Sequence, residues 1–170
     1  ALPPNAGVEQ PLELVFFGRL ETRKGLRVFL EAVSGLPLDV RVAFLGAEKT
    51  VDHLPAGQLI ARSLAGRPYR IESNLDAAEA LAYLSAGNRL AVIPSLVENS
   101  PFTVIECAAN GIPFIASSVG GIPELISDPD LRRSLLFEPT ATHLRQKLSD
   151  YLQLDAASRQ QIAARLKACF

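Results

Sequence analysis

Cysteine and histidine are scarce, with two of each in 170 residues. Cys107 and Cys169 lie far apart, one inside an expected helix and one beside the terminus. That is neither a disulfide framework nor a metal-ligand spacing, and His53 and His143 do not complete one, so no protein-built metal site is expected. Charge of one sign is also missing. Lys and Arg total 17 against 18 for Asp and Glu, which removes the basic field that would gather nucleic acid and leaves any phosphate to be bound locally. No apolar run approaches the roughly 18 residues that cross a bilayer. The opening "ALPPNAG" has neither the charged nor the apolar region of a signal peptide, so a cytoplasmic protein is the expectation. No G-x-G-x-x-G follows an expected strand and no G-x-x-x-x-G-K-[ST] occurs. The usual dinucleotide and P-loop devices of dehydrogenases and other doubly wound proteins are therefore absent.

Apolar residues are present in quantity, at 48%, enough for one well-formed core. Residues 1–11, rich in Pro and Gly, read as a connector, and residues 12–170 as one domain. Strand-like runs alternate with helix-periodic segments. "LELVFFG" (12–18) precedes a helical "KGLRVFLEAVSGL", and "DVRVAFLG" (39–46) precedes a weaker helix near 57–65. "YRIES" (69–73), "RLAVIPS" and "IPFIAS" read as further strands, separated by the helical "DAAEALAYLSAG" and "PFTVIECAANG". "IPELIS" reads as a short helix, "SLLFEP" as an edge strand, and 140–152 and 156–168 as two polar amphipathic helices. The pattern predicts an α/β fold with a doubly wound, Rossmann-like parallel sheet of about six strands and helices on both faces. In such sheets ligands sit beyond the carboxyl ends of the strands, where strand order reverses.

The loops after the strands carry the chemistry. Gly18 leaves room for close backbone approach, and Arg19 and Lys24 bracket a short loop before a helix. They suit a diphosphate clamp, or are solvated charges of a surface turn. Ser100 and Pro101 read as an N-cap and first helical residue, which puts the backbone N–H groups of Phe102 and Thr103 at a helix start. Glu106, on the same side of that helix, stands among Val104, Ile105, Cys107 and Ala108. A buried carboxylate there needs donors, which the vicinal hydroxyls of a ribose would supply. Capping a neighbouring loop or pairing with Arg19 would satisfy it as well. Gly120 and Gly121 read as a tight turn, Glu124 as structural, and both histidines as surface residues.

Taken together, "GRLETRKG", "PSLVENSPFTVIECAANGIP" and "GGIPE" resemble the donor-binding half of retaining glycosyltransferases of the GT-B fold, the family 4 group. That family carries G-R-L-x-x-x-K-G, then E-x7-E, then G-G-x-x-E, and all three motifs stand here in order. The resemblance implies that Arg19 and Lys24 hold the leaving diphosphate of a UDP-, GDP- or ADP-linked sugar. It implies Glu98 on the transferred sugar, Glu106 on the ribose, and Gly18, Asn99, Ser100, Phe102 and Thr103 around the donor. The loop at Ser73 and Asn74 would line the base pocket. No cofactor or metal is implied, because the cationic loop and the helix start do the work of a divalent ion. The acceptor, a saccharide, a lipid carrier or a small metabolite, would come through an N-terminal domain absent here, as would any contact with a membrane surface. The isolated half would then bind donor weakly and turn over little or nothing. Where the family usually has Gly-Phe-Gly, this chain has Asn99, Ser100 and Pro101, and Pro101 has no N–H to give. A freestanding, non-catalytic nucleotide or sugar-phosphate module remains the alternative.

Overall fold

The computed structural model describes residues 11–169. The expected connector therefore lies outside the described residues, apart from Pro11. Six strands form one sheet: β1 (Glu13–Phe17), β2 (Arg41–Leu45), β5 (Tyr69–Glu72), β6 (Arg89–Ile93), β7 (Phe114–Ser117) and β8 (Leu136–Phe137). Their order is β5-β2-β1-β6-β7-β8, and every pairing is parallel. A parallel strand covered on both faces has no solvent side, which is why "ELVFF" and "RLAVI" are nearly continuous in apolar residues. Successive residues point to opposite faces. Leu14, Phe16, Val42, Phe44, Leu90 and Val92 enter one core with α1 (Leu26–Ser34), α2 (Ala56–Ser63) and α7 (Ala141–Leu152). Val15, Phe17, Ala43, Leu45, Ala91 and Ile93 enter the other. That second core is closed by α3 (Ala77–Ser85), α4 (Phe102–Ala109), the short α5 (Ile122–Leu125), α6 (Pro129–Leu135) and α8 (Ala156–Ala168). The first core centres on aromatic rings, with Phe29 edge-on to both Phe16 and Phe44 at 5.5 Å. The expected doubly wound α/β fold is the observed one.

Strand order reverses between β1 and β6. The chain leaves β1 towards β2 on one side and returns to β6 on the other, so the loops after β1 and β6 flank the switch point. Two elements depart from expectation. A hairpin of β3 (Thr50–Val51) and β4 (Leu54–Pro55) follows β2, turned by Asp52 and His53 at φ 48° and 68°. Strands of two residues joined by Asp-His, with no glycine, give no period or turn signature to read. Arg27 of α1 holds the turn through Asp52, Nε to Oδ2 at 2.5 Å. The second departure is α6, which runs into the segment expected as strand "SLLFEP" and takes its first two residues, Ser134 and Leu135. Asp128 caps it by accepting from the N–H groups of Asp130 and Leu131, Pro129 opens it, and only Leu136–Phe137 remain for β8.

At the end of the sheet opposite the switch-point loops, Glu13 is buried at 3% exposure. Its carboxylate accepts from Arg89 Nε at 2.9 Å and Tyr83 Oη at 2.8 Å, with Arg70 at 3.4 Å and Arg41 at 3.8 Å. Burial raises its pKa, but the bonds from Arg89 and Tyr83 and the charges of Arg70 and Arg89 outweigh this and hold it below the usual carboxylate value. A carboxyl with a lower pKa folded than unfolded stabilises the fold above the unfolded pKa and loses that contribution as pH falls through the folded value. Glu13→Gln is therefore expected to cost about 2 kcal/mol at neutral pH and progressively less as pH drops below the usual carboxylate range. Urea unfolding across that range checks it, and an equal cost at both ends would show that the charge is irrelevant.

Candidate nucleotide-sugar site

Gly18 follows β1 directly, and its N–H donates to Leu45 O at 3.0 Å. Leu20, fully buried, anchors the following loop and donates to Ala47 O at 2.9 Å. A single 3-10 turn, Thr22–Lys24, then leads into α1 through Gly25 at φ 77°. A Cβ at Gly25 would lie 1.8 Å from Pro94 O, so only glycine lets this loop meet the loop after β6. Leu96 N–H donates to Arg23 O at 2.8 Å and ties the same two loops again.

Between them stands a polar chain. Lys24 Nζ donates to Glu98 Oε2 at 2.6 Å, and Ser95 Oγ donates to the same oxygen at 3.1 Å. Ser117 Oγ in turn donates to Ser95 O at 2.5 Å. Ser95 and Ser117 are fully buried and Glu98 is 8% exposed, so the carboxylate is held in one place by partners that water does not replace. Gly120, at φ 54°, closes over the loop: a Cβ there would sit 2.0 Å from Glu98 O. Gly120 is thus a close approach to the Glu98 backbone as well as a turn. Gly120→Ala is expected to destabilise by about 2 kcal/mol through backbone strain and displacement of that loop. Thermal unfolding measures it, and an unchanged midpoint would mean the loops yield freely.

Gly18, Arg19, Arg23, Lys24, Glu98, Asn99, Ser100 and Thr103, with Val97 and Phe102, line one cavity of about 370 Å³ at the switch point. Eight expected residues thus come together: Gly18, Arg19, Lys24, Glu98, Asn99, Ser100, Phe102 and Thr103. Glu106, Ser73 and Asn74 do not line it. Ser73 and Asn74 follow β5, the strand at the sheet's far edge. Glu106 sits one turn along α4 from Phe102 and Thr103, half-buried rather than buried. Its carboxylate has no hydrogen bond or ion pair among the described residues, so it neither caps a loop nor pairs with Arg19. Arg19 pairs with Glu21 instead, at 3.1 Å. Glu124 is exposed, without a side-chain partner among the described residues, and His53 and His143 are exposed as expected.

The start of α4 also differs from expectation. Ser100 is not the N-cap. Pro101 takes that position at φ −80° and ψ 56° with no side-chain cap, an inverse γ-turn that commits the Phe102 N–H to Ser100 O at 2.8 Å. The Thr103 N–H remains to face a ligand. Sequence reasoning did not assign Ser95, Glu21 or Arg23. Ser95 stands three residues before Glu98 at a strand end, a spacing that could have suggested a side-chain partner. Cys107, on the core side of α4, has its thiol pKa pushed up by burial and by neighbouring Glu106, which makes it inert packing. No group of three or more His, Cys, Asp or Glu among the described residues is placed to hold a metal ion, and no described helix is long and apolar enough to cross a membrane.

The profile of the family described as glycosyl transferases group 1 matches residues 11–153. Sulfoquinovosyl transferase of Arabidopsis thaliana is 29% identical over 152 residues, 86% of this chain and 28% of that protein. Sucrose-phosphate synthase from Thermosynechococcus elongatus superposes with a TM-score of 0.75 at 26% identity, over 94% of this chain and 40% of that one. The C-terminal domain of a glycosyl transferase group 1 family protein from Francisella tularensis shares the fold, with a TM-score of 0.69 at 21% identity over 95% of this chain and 84% of that one. The chain spans between 28% and 37% of the length of the curated relatives it matches.

Proposed function

The chain belongs to the glycosyl transferases group 1 family, and on that premise we propose that it is the donor-binding, C-terminal half of a retaining GT-B enzyme of family 4, holding a nucleotide sugar. One observation carries the reading: cationic side chains from the loop after β1 and a carboxylate from the loop after β6 converge on a single cavity at the switch point. The Francisella tularensis domain supports it, being a C-terminal domain that this chain covers over most of its length.

In this reading the bond between the anomeric carbon and the diphosphate oxygen breaks, and its electron pair goes to the diphosphate. The anomeric carbon bonds the oxygen of an acceptor hydroxyl on the same face, and that hydroxyl's proton passes to the departing diphosphate. Lys24, with protons on Nζ beyond the one given to Glu98, and Arg19, with a planar fork of donors, meet the charge as it grows. No resident metal is invoked. Glu98 is held by Lys24 and Ser95 through Oε2, which leaves Oε1 to accept from a sugar hydroxyl. Glu106, unpartnered beside the cavity, accepts from the ribose. The acceptor arrives through an N-terminal domain, in a cytoplasmic enzyme.

Titration of the chain with UDP, GDP and ADP by calorimetry tests the reading. One of the three is expected to bind, weakly, and to lose affinity in both Lys24→Ala and Glu106→Ala. Absence of binding at millimolar concentration, or binding indifferent to both substitutions, would overturn it.

A further inference from the structure

We infer that Arg23 is a third anion-binding side chain of this site, taking over the phosphate contact that the start of α4 cannot make. The inference rests on the diphosphate reading of the cavity and deepens it. Arg23 occupies a spacer position of "GRLETRKG", so the motif assigns it nothing.

The argument begins with what the helix start lacks. Pro101 has no N–H, and the Phe102 N–H is bonded to Ser100 O. Of the first helical donors facing the cavity, Thr103 alone stays available, too few to cradle two phosphoryl groups. The opposite wall compensates. Arg23 lines the cavity with Arg19 and Lys24. Its backbone is fixed where the two loops meet, because its carbonyl accepts from Leu96 N–H at 2.8 Å.

Its side chain is oriented as well. Arg23 Nη2 donates to Glu21 Oε1 at 3.3 Å, and Arg19 Nη2 pairs with the same oxygen at 3.1 Å. One carboxylate oxygen thus holds two guanidinium groups side by side, each through one nitrogen. Nε and Nη1 of both remain for a ligand, so an anion can enter without displacing Glu21. Glu21 is a positioning residue in this arrangement. The charges point the same way: three cations and one carboxylate line the cavity, and with Glu21 counted the group still carries a net positive charge. The competing possibility is an exposed Arg23–Glu21 pair with no ligand role, which would add almost nothing to binding.

Calorimetry on the 170-residue chain separates the two. The probes are the tightest binder among UDP, GDP and ADP, inorganic pyrophosphate, and the matching nucleoside without phosphates. Arg23→Gln is expected to weaken the nucleoside diphosphate and pyrophosphate alike by about tenfold, and to leave the nucleoside unchanged. Arg23→Lys should restore part of the loss. Arg23 is 59% exposed on its side chain, so its variants should melt with the parent chain. Affinity within about twofold of the parent in Arg23→Gln, while Lys24→Ala weakens binding, overturns the role of Arg23 and leaves the site intact. Binding unmoved by both substitutions, or no binding by the parent chain, overturns the diphosphate reading and this inference with it.

Discussion

Arg67→Met should unfold far more easily than the parent chain, by about 3–5 kcal/mol, a fall in midpoint of about 10 °C for a domain of this size. Arg67 lies between α2 and β5, 5% exposed. Its guanidinium donates to four backbone carbonyls: Nη1 to Pro37 O and Val40 O at 2.8 Å, Nη2 to Val33 O at 3.0 Å and Leu36 O at 2.7 Å. These carbonyls belong to the end of α1 and the turn into β2. There the helix has run out of its own N–H partners, and the negative end of its dipole favours a cation. Burial lowers the pKa of Arg67, with Asp39 acting in the opposite direction, and its usual value is high enough that it stays charged. Methionine keeps the length and apolar stem while removing every donor, so the cost comes from Leu36 O and Val40 O left without a donor rather than from a cavity, while Val33 O and Pro37 O keep the N–H groups of Leu36 and Val40. Lysine keeps the charge but not the fork, and should lose about half as much. Arg145 caps the same helix end through Ala32 O at 3.2 Å and Glu31 O at 2.8 Å, so α1 as a whole should persist while the α1–β2 turn loosens. Chemical denaturation of the two variants measures this, and a loss below about 1 kcal/mol for Arg67→Met would show that water satisfies those carbonyls.

Nothing in "AGRPYR" announces that role. Sequence analysis assigns Arg67 no role because its partners stand roughly thirty residues upstream and are backbone atoms, which leave no trace in a pattern of side chains. The sheet was legible for the opposite reason: a parallel strand buried on both faces must be apolar throughout, and its loops must be short. The residues after the strands pointed to Gly18, Arg19, Lys24 and the turn before α4, and the family resemblance added Glu98, whereas strand order, and with it the switch point, came from the structure. Glu106 shows where local reading stopped. Its apolar neighbours suggested burial, yet Val104, Cys107 and Ala108 form the core face at helical spacing and Glu106 stands off it. The Lys24–Glu98 bond could not be read at all from residues 74 positions apart, because it depends on two loop paths fixed by Gly25 against Pro94 and Gly120 against Glu98.

That bond sets the second large effect, under the proposed reading. The Lys24 charge is already matched by Glu98 at 2.6 Å, and only 18% of the Lys24 side chain is exposed. Lys24→Ala removes the cation and leaves a nearly buried carboxylate facing the incoming diphosphate with only Ser95 as a donor. Affinity for a nucleoside diphosphate should fall by about 100-fold or more, since a charged hydrogen bond is lost and a repulsion gained. Glu98→Gln acts on the other partner and should move the other way for the bare nucleoside diphosphate, tightening it by about threefold to tenfold as Lys24 loses its competing anion. For the nucleotide sugar the same variant should gain nothing or weaken, because the amide that spares Lys24 also replaces the acceptor of the sugar hydroxyl. The pair of titrations is therefore read as a difference. If Glu98→Gln weakens the bare nucleoside diphosphate as much as the sugar nucleotide, Glu98 serves to aim Lys24 at the phosphates rather than to hold the sugar, and the two residues act as one device.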